Sequence, residues 1–335
     1  MDNRSVSILI PFKNTAEFIP ECIQSIIGQT YNEWEILAVN DHATDNSPNI
    51  LNAYAQRDAR IKVFKNDGKG IIEALRTAYS RSKGTYITRM DSDDIMSPKK
   101  MELMVNSLKN HGPGHVALGK VKYFSKDGVG DGYKSYEKWL NHLTEKGTNY
   151  CEIYKECVIP SPCWMVHRED LEKAGSFSSE RYPEDYDLAF RFYEQGLNCI
   201  PTHDLLHFWR DYDHRTSRTS EHYAQNYFLD IKLYYFLKLD RDDHCPLVLW
   251  GAGKKGKTLA KKLLKKNIAF TWVCNNSNKI GLDIYDKKMY RYPEITKLGK
   301  AQIIITVANK EAQVFIKDYL LALGKKTAQD FFFFC

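Results

Sequence analysis

No two of the eight cysteines stand close enough to read as a Cys-x-x-Cys pair; they fall at 22, 151, 157, 163, 199, 245, 274 and 335. That spacing excludes a zinc ribbon and a dithiol redox motif and leaves the thiols as small core residues. Long apolar runs are missing too. The cleanest, "IIITVA" at 303–308, is far too short to cross a bilayer. The first residues, "MDNRSVSILIPF", lack the basic segment, apolar stretch and small-residue cleavage site of a secretory leader. These absences predict a cytoplasmic protein with no transmembrane segment. What is present suits a globular chain: 335 residues, 43% hydrophobic and 27% charged, enough for one large domain and a smaller one.

Charge is unevenly spread. From Cys245 to Cys335 there are 16 Lys and 1 Arg against 6 acids, a balance of +11; the other 244 residues carry 31 basic and 36 acidic side chains, −5. A basic tail domain on an acidic body points to an anionic partner, either nucleic acid, a lipid surface or a phosphorylated acceptor. The plainer reading is a solvated lysine surface.

The first 95 residues alternate strand and helix. "VSILI" (6–10), "WEILAV" (34–39), "RIKVF" (60–64) and "TYITRM" (85–90) read as strands. Between them, 16–29 places Phe18, Ile19, Cys22, Ile23, Ile26 and Ile27 on one helical face. A second helix starts with Ser47 as N-cap and Pro48 at the first position, and a third covers 70–82. Such alternation predicts an α/β fold with a doubly wound, mostly parallel sheet, whose ligands bind beyond the carboxyl ends of the strands. Pro11, Lys13 and Asn14, then Asn40, Asp41 and Asp45, then Asp91-Ser92-Asp93-Asp94 follow those ends and should share one rim. A polar linker at 240–245 divides a domain 1–240 from a domain 245–335. The latter reads strand, Gly-rich turn, helix, strand, as a smaller Rossmann-like unit.

Three carboxylates in "DSDD" repel one another unless a cation is present. They are not needed to start the next helix, for which Ser97 serves as N-cap and Pro98 as first residue. A hard divalent cation takes oxygen ligands and keeps room for substrate phosphates, so Asp-x-Asp after a strand suits Mg²⁺ or Mn²⁺ on a nucleotide diphosphate.

"VSILIPFKNTAEFIPECIQSIIGQTYNEWEILAVND", then "TD", then "GTYITRMDSDD" resemble, in order and spacing, the inverting nucleotide-sugar glycosyltransferases of family 2, with the GT-A fold. A second block, "CWMVHREDLEKAGSF" with "YPEDYDLAFRFYEQG" and "WRDYDHRTSRTS", extends the resemblance to about residue 220. The resemblance implies Asp185 as general base, though Glu184 and Asp185 would equally complement a helix dipole. It implies Asp91 and Asp93 as the ribose and metal pair, Asp93 the more direct ligand. His214 joins them near the metal and diphosphate, against the plainer reading of a solvated loop histidine. Asp41 matches the residue that accepts from uracil N3–H, and Pro11, Asn14, Arg76 and Asp91 complete the donor site. Arg76 also reads as an ordinary surface arginine. "NDHATD" departs from the family's "DDGSTD" at Asn40, His42 and Ala43, which loosens the nucleotide assignment. The cofactor implied is Mn²⁺ or Mg²⁺. On the acceptor side Trp139, Trp164 and Trp209 offer flat faces beside Glu184, unless they are core aromatics.

The function expected is inverting, metal-dependent transfer of a hexosyl or N-acetylhexosaminyl group from a nucleotide donor, UDP above others. The expected acceptor is a glycan or a lipid-linked saccharide, the latter placing the enzyme peripherally at the inner membrane face. "WGAGKKGK" and the terminal "AQDFFFFC" resemble a subgroup that includes a tRNA (queuosine-type) glycosyltransferase, so tRNA is the alternative acceptor. A non-catalytic nucleotide-sugar-binding protein is the third reading. "GAGKKG" (251–256) has the dinucleotide pattern, but Asn275 and Asn276 stand where an acid should hold the ribose, so the glycines are assigned to helix–strand packing.

Overall fold

The computed structural model describes residues 5–215, 218 and 228–335. The chain forms two compact units, one of 1–149 with 158–224, the other of 150–157 with 225–335.

In the first unit β1 (Val6–Phe12), α1 (Ile19–Ile27), β2 (Trp34–Asn40), α2 (Ser47–Ala55), β3 (Ile61–Lys65), α3 (Ile71–Ser80) and β4 (Tyr86–Arg89) alternate as the periodicity predicts. β1 and β2 are buried on both faces, which is why they read as unbroken apolar runs. α1 buries Ile19, Cys22, Ile23 and Ile26, one stripe at 3.6-residue spacing. Two helix starts differ from expectation. Asn46, not Ser47, holds the N-cap position of α2, and Ser47 Oγ instead accepts from Thr15 N at 3.0 Å. The helix after the acidic loop, α4 (Lys100–His111), begins two residues later than expected; the Ser97 carbonyl accepts from Gln29 Nε2 at 2.7 Å and from Lys100 N.

The chain continues through β5 (Ile95–Met96), β6 (His115–Leu118), β7 (Lys120–Phe124), α5 (Asp131–Lys146), β8 (Trp164–His167), α6 (Arg168–Lys173), α7 (Glu184–Glu194), β9 (Asn198–Ile200) and β10 (Leu205–Arg210). The main sheet runs β3-β2-β1-β4-β8-β6-β9. It is parallel from β3 to β4, and β8 is antiparallel to both its neighbours. A small sheet, β5-β10-β7, sits where the acidic loop leaves β4.

The second unit holds α8 (Leu229–Tyr235), β11 (Leu247–Trp250), α9 (Lys254–Lys265), β12 (Thr271–Cys274), β13 (Asp283–Ile284), β14 (Lys287–Arg291), β15 (Gln302–Ile305), α10 (Lys310–Ala322) and β16 (Phe331–Phe333). Its sheet order is β13-β14-β12-β11-β15-β16, parallel except for the β13 edge, the Rossmann-like layout expected. Gly251 adopts φ +130°, and a Cβ on Gly256 would stand 2.1 Å from the Gly251 carbonyl oxygen. Both glycines therefore allow α9 to close on the turn after β11. The division falls at 224/225, whereas the sequence reading places it at 240–245. The reason is aromatic packing within the second unit: Tyr154 stacks on Phe334 at 5.3 Å and meets Phe236 and Phe332 edge-on. α8 buries Leu229, Ile231, Leu233 and Tyr235.

Candidate active site

β4 ends in Arg89, and the chain then turns through Asp91-Ser92-Asp93-Asp94 before entering β5. One ligand atom from each of the three aspartates lies within 4.8 Å of the others. Their environments differ. Asp91 Oδ1 accepts from Arg89 Nη2 at 2.9 Å and Nε at 3.1 Å. Asp93 Oδ2 accepts from the Tyr212 hydroxyl at 2.8 Å. Asp94 is fully buried: Oδ1 accepts from Arg210 N and Oδ2 lies 2.8 Å from His207 Nε2. The Lys100 ammonium lies 3.2 Å from His207 Nδ1 and donates to the Pro162 carbonyl at 2.6 Å. With the Lys100 ammonium donating to Nδ1, the single proton of the neutral ring stands on Nε2, facing Asp94. Burial, then Lys100, hold the His207 imidazole well below its ordinary pKa.

Burial, then Asp94 and Asp91, raise Asp93 to about 7. Burial, then Asp91, raise Asp94 to about 8. At both carboxyls burial and the neighbouring acids outweigh the opposing Arg215, so a bound cation would favour their ionised forms. Among the described residues Asp91 Oδ2 and Asp93 Oδ1 carry no hydrogen bond, so two hard oxygens remain open for a divalent cation. The donor set fits that ion; Asp94, with both oxygens engaged, anchors the loop.

Arg89 connects this loop to the start of α7. Its Nη1 donates to Glu184 Oε1 at 2.9 Å, and its side chain is only 7% exposed. Glu184 Oε2 is buried without a partner among the described residues. Beside it, among the described residues, Asp185 Oδ1 accepts only from the Tyr186 amide, at 2.8 Å. Burial, then Glu184, raise the Asp185 carboxyl to about 7, with Arg89 opposing them. α7 faces its helix dipole with Glu184, Asp185 and Asp187, and Asp187 is neutralised by Arg191 Nε at 2.8 Å. Replacing Arg89 with Met leaves Asp91 and Glu184 uncompensated, and we expect a stability loss on the order of 3–5 kcal/mol. Urea unfolding checks this; a loss under about 1 kcal/mol would show that the bridge is not structural.

Just beyond the carboxyl end of β2, Asp41 Oδ1 accepts from Asn66 Nδ2 and Gly70 N, both at 2.8 Å. Asn14 Oδ1 accepts from Thr44 N at 2.7 Å. Pro11 lies in β1, opposite Val39. The departures from the family pattern are built into this rim: Asn40 Oδ1 accepts from Ala43 N at 2.8 Å, and His42 Nε2 lies 2.8 Å from the Gly68 carbonyl.

The profile of Glycosyl transferase family 2 matches residues 7–175, half of the chain. The chain belongs to that family. The family 2 chain is 27% identical over 212 residues to the glycosyltransferase GlyG of Streptococcus pneumoniae, across 61% of this chain and 70% of that one. It is 37% identical over 211 residues to the chondroitin synthase of Pasteurella multocida, across 60% of this chain and 20% of that one. Among solved structures, Staphylococcus aureus TarS 1–349 in complex with UDP-GlcNAc superposes with a TM-score of 0.54 at 17% identity, covering 77% of this chain and 71% of that one. The mannosyltransferase PcManGT of Pyrobaculum calidifontis, in complex with GDP-Man and Mn²⁺, gives 0.50 at 18%, covering 78% and 69%. The chain is a glycosyltransferase of the GT-A fold. Asp185 and α7 lie beyond the matched segment.

Not every expected residue of this family 2 transferase reaches the site. Trp164 is 2% exposed and meets Phe192 edge-on, and Trp209 is 7% exposed and stacked on Tyr123 at 5.0 Å. Neither has a face open to a sugar, so both are core aromatics. Trp139 is half-buried on α5 against Tyr136. Glu184 belongs to the Arg89 bridge. His214 stands exposed in a turn, outside the grouped metal-ligand atoms. Arg76 is committed elsewhere: Nε and Nη2 donate to the Phe177 and Ser178 carbonyls, both at 2.7 Å, and Glu180 pairs with it, bracing the loop before α7. Arg89, Lys100, Arg210 and Tyr212 escaped sequence reasoning, as did the contact of His207 with Asp94, His207 being visible only as one of two histidines four apart. Of the first four, Arg89 alone left a signal, a charge at the end of an otherwise apolar strand.

Proposed function

We propose that this glycosyltransferase works by inversion, in one displacement, on a uridine diphosphate sugar. The observation that carries this is the Arg89 bridge, which ties the candidate metal loop, through Asp91, to Glu184, the residue next to the candidate base in the first turn of α7. Asp91 and Asp93 would hold Mn²⁺ or Mg²⁺, which when bound supplies positive charge to the departing diphosphate. Asp185 takes the proton of the acceptor hydroxyl as that oxygen attacks the anomeric carbon. Its raised pKa leaves it basic enough for that task near neutrality. Asp41, Asn14 and Pro11 line the base and ribose side. UDP-GlcNAc in the TarS structure and Mn²⁺ in the PcManGT structure favour this donor and cofactor. A saccharide acceptor is supported by the likeness to chondroitin synthase. The basic 245–335 segment favours tRNA as the second reading.

The test is turnover of UDP-linked and GDP-linked hexoses and N-acetylhexosamines, with saccharide or tRNA as acceptor. Expected is a preference for UDP-linked donors, a loss on the order of 10²-fold in EDTA and recovery with Mn²⁺. Undiminished turnover in EDTA removes the metal, GDP preference removes the uridine donor, and label appearing on tRNA replaces the saccharide.

A further inference from the structure

β11 is the switch point of the second sheet: β12 lies on one side of it, β15 on the other, and all three are parallel. Open α/β sheets bind ligands in the crevice outside the carboxyl end of such a strand. A cavity of about 300 Å³ occupies that place. Its walls are apolar, from Trp250, Cys274, Val307 and Ile316, and it closes on the 251–253 turn that leads into α9.

The polar groups at its rim are donors. Lys279 Nζ bonds the Ala252 carbonyl at 2.7 Å and keeps two further protons. Asn275 Oδ1 accepts from Trp250 Nε1, an indole that can only donate, so the amide hydrogens of Asn275 are left for the cavity side. The first-turn amides of α9 have no intrahelical acceptor, and that turn contains Lys254 and Lys255 and no acid. No carboxylate lines the cavity. Three kinds of donor around an apolar cavity at the positive end of a helix suit an anion.

Gly253 adds an observation of a different kind. Its φ of −79° is open to any residue, and a Cβ there would meet nothing within 4 Å. Gly253 is the N-cap of α9, where glycine is well suited, and with no side chain it leaves the first-turn amides uncovered, whereas Gly251 and Gly256 are required by close packing. Glycine at such a place keeps the backbone open to close approach by a ligand.

We infer that the second unit binds a phosphate-bearing ligand of mononucleotide size, with phosphate at the 253–256 turn and its body against the apolar walls. A dinucleotide is disfavoured twice. The volume is at the floor for small-molecule sites, and Asn275 replaces the acid that would bind the ribose. This site lies within residues 250–316 and does not depend on the transfer mechanism proposed above.

Hydrogen–deuterium exchange of the full chain in EDTA, with UMP, AMP, NAD or inorganic phosphate, tests it. A mononucleotide at ten times its Kd should slow exchange at 250–257 and 274–279 about tenfold. The effect should persist in Asp93→Asn, whose donor site is reported by separate peptides around 36–45 and 86–94. Gly253→Val should fill the cradle and abolish protection while the ligand-free exchange of the rest of the second unit stays as in the wild type, and Lys279→Gln should weaken it. Failure of every probe to protect 250–257 overturns the site. So does protection that survives Gly253→Val. Stronger protection by NAD overturns the size class, and equal protection by phosphate alone overturns a ligand with a nucleotide body.

Discussion

Asp185→Asn should lower kcat about 10³-fold while the donor KM changes only a few-fold, because a general base acts in the transition state and not on bound donor. The choice of Asp185 over Glu184 rests on what each carboxylate already does. Glu184 Oε1 is held by Arg89, whereas Asp185, among the described residues, accepts only its neighbour's amide. The rate should rise with pH along an acid limb near 7, since burial and Glu184 raise the Asp185 carboxyl to about that value and only its ionised form takes a proton. Glu184→Gln removes one of the two raising influences and should move the limb to lower pH. An Asn variant with a tenth of the wild-type rate, or a limb that ignores Glu184→Gln, would falsify the assignment.

The second large effect concerns stability. A carboxyl whose pKa is higher folded than unfolded binds its proton more tightly in the native state, so stability falls as pH rises from the ordinary aspartate value to the raised one. For Asp93 and Asp94 that window runs from about 4 to about 7 and 8. His207 pulls the other way below about 6.5, because its folded form resists protonation. The clean interval is therefore pH 6.5 to 8.5. There the metal-free chain should lose roughly 1–3 kcal/mol. Mn²⁺ should flatten the slope, because the cation binds only the folded, ionised loop. Asp93→Asn should shallow it only at the lower end, near pH 7, because Asp94, raised by burial and Asp91, still titrates near 8. Melting curves with EDTA or Mn²⁺ decide this, and a flat metal-free profile across the interval contradicts the expectation.

The alternation of β1 to β4 was legible because apolar spacing is a local signal, and α1 and β2 lie within three residues of where the pattern places them. The acidic loop was legible as a cluster, but the division of labour inside it was not. Asp94 is told apart from Asp93 by His207, 113 positions away in sequence, and by the amide of Arg210. Tryptophan faced the same limit. Trp139, Trp164 and Trp209 read alike as letters, and only the stacking of Tyr123 on Trp209 and the position of Trp164 in a central strand separate core from surface. The roles proposed for Asp185, Asp41 and Asn14 came from motif order, which periodicity does not encode. The crossing of 150–157 into the second unit left no trace either, because "YCEIYKEC" has neither period.

That crossing has a consequence for how such a chain can be rearranged. The second unit is discontinuous: eight residues of it are encoded inside the first, ahead of β8 and α7. A splice at 225 would therefore deliver an incomplete module, missing the tyrosine on which Phe334 stacks. It would also leave the donor fragment with an orphaned insert. The two units must be inherited together, and grafting the second onto another transferase requires transplanting two segments, not one.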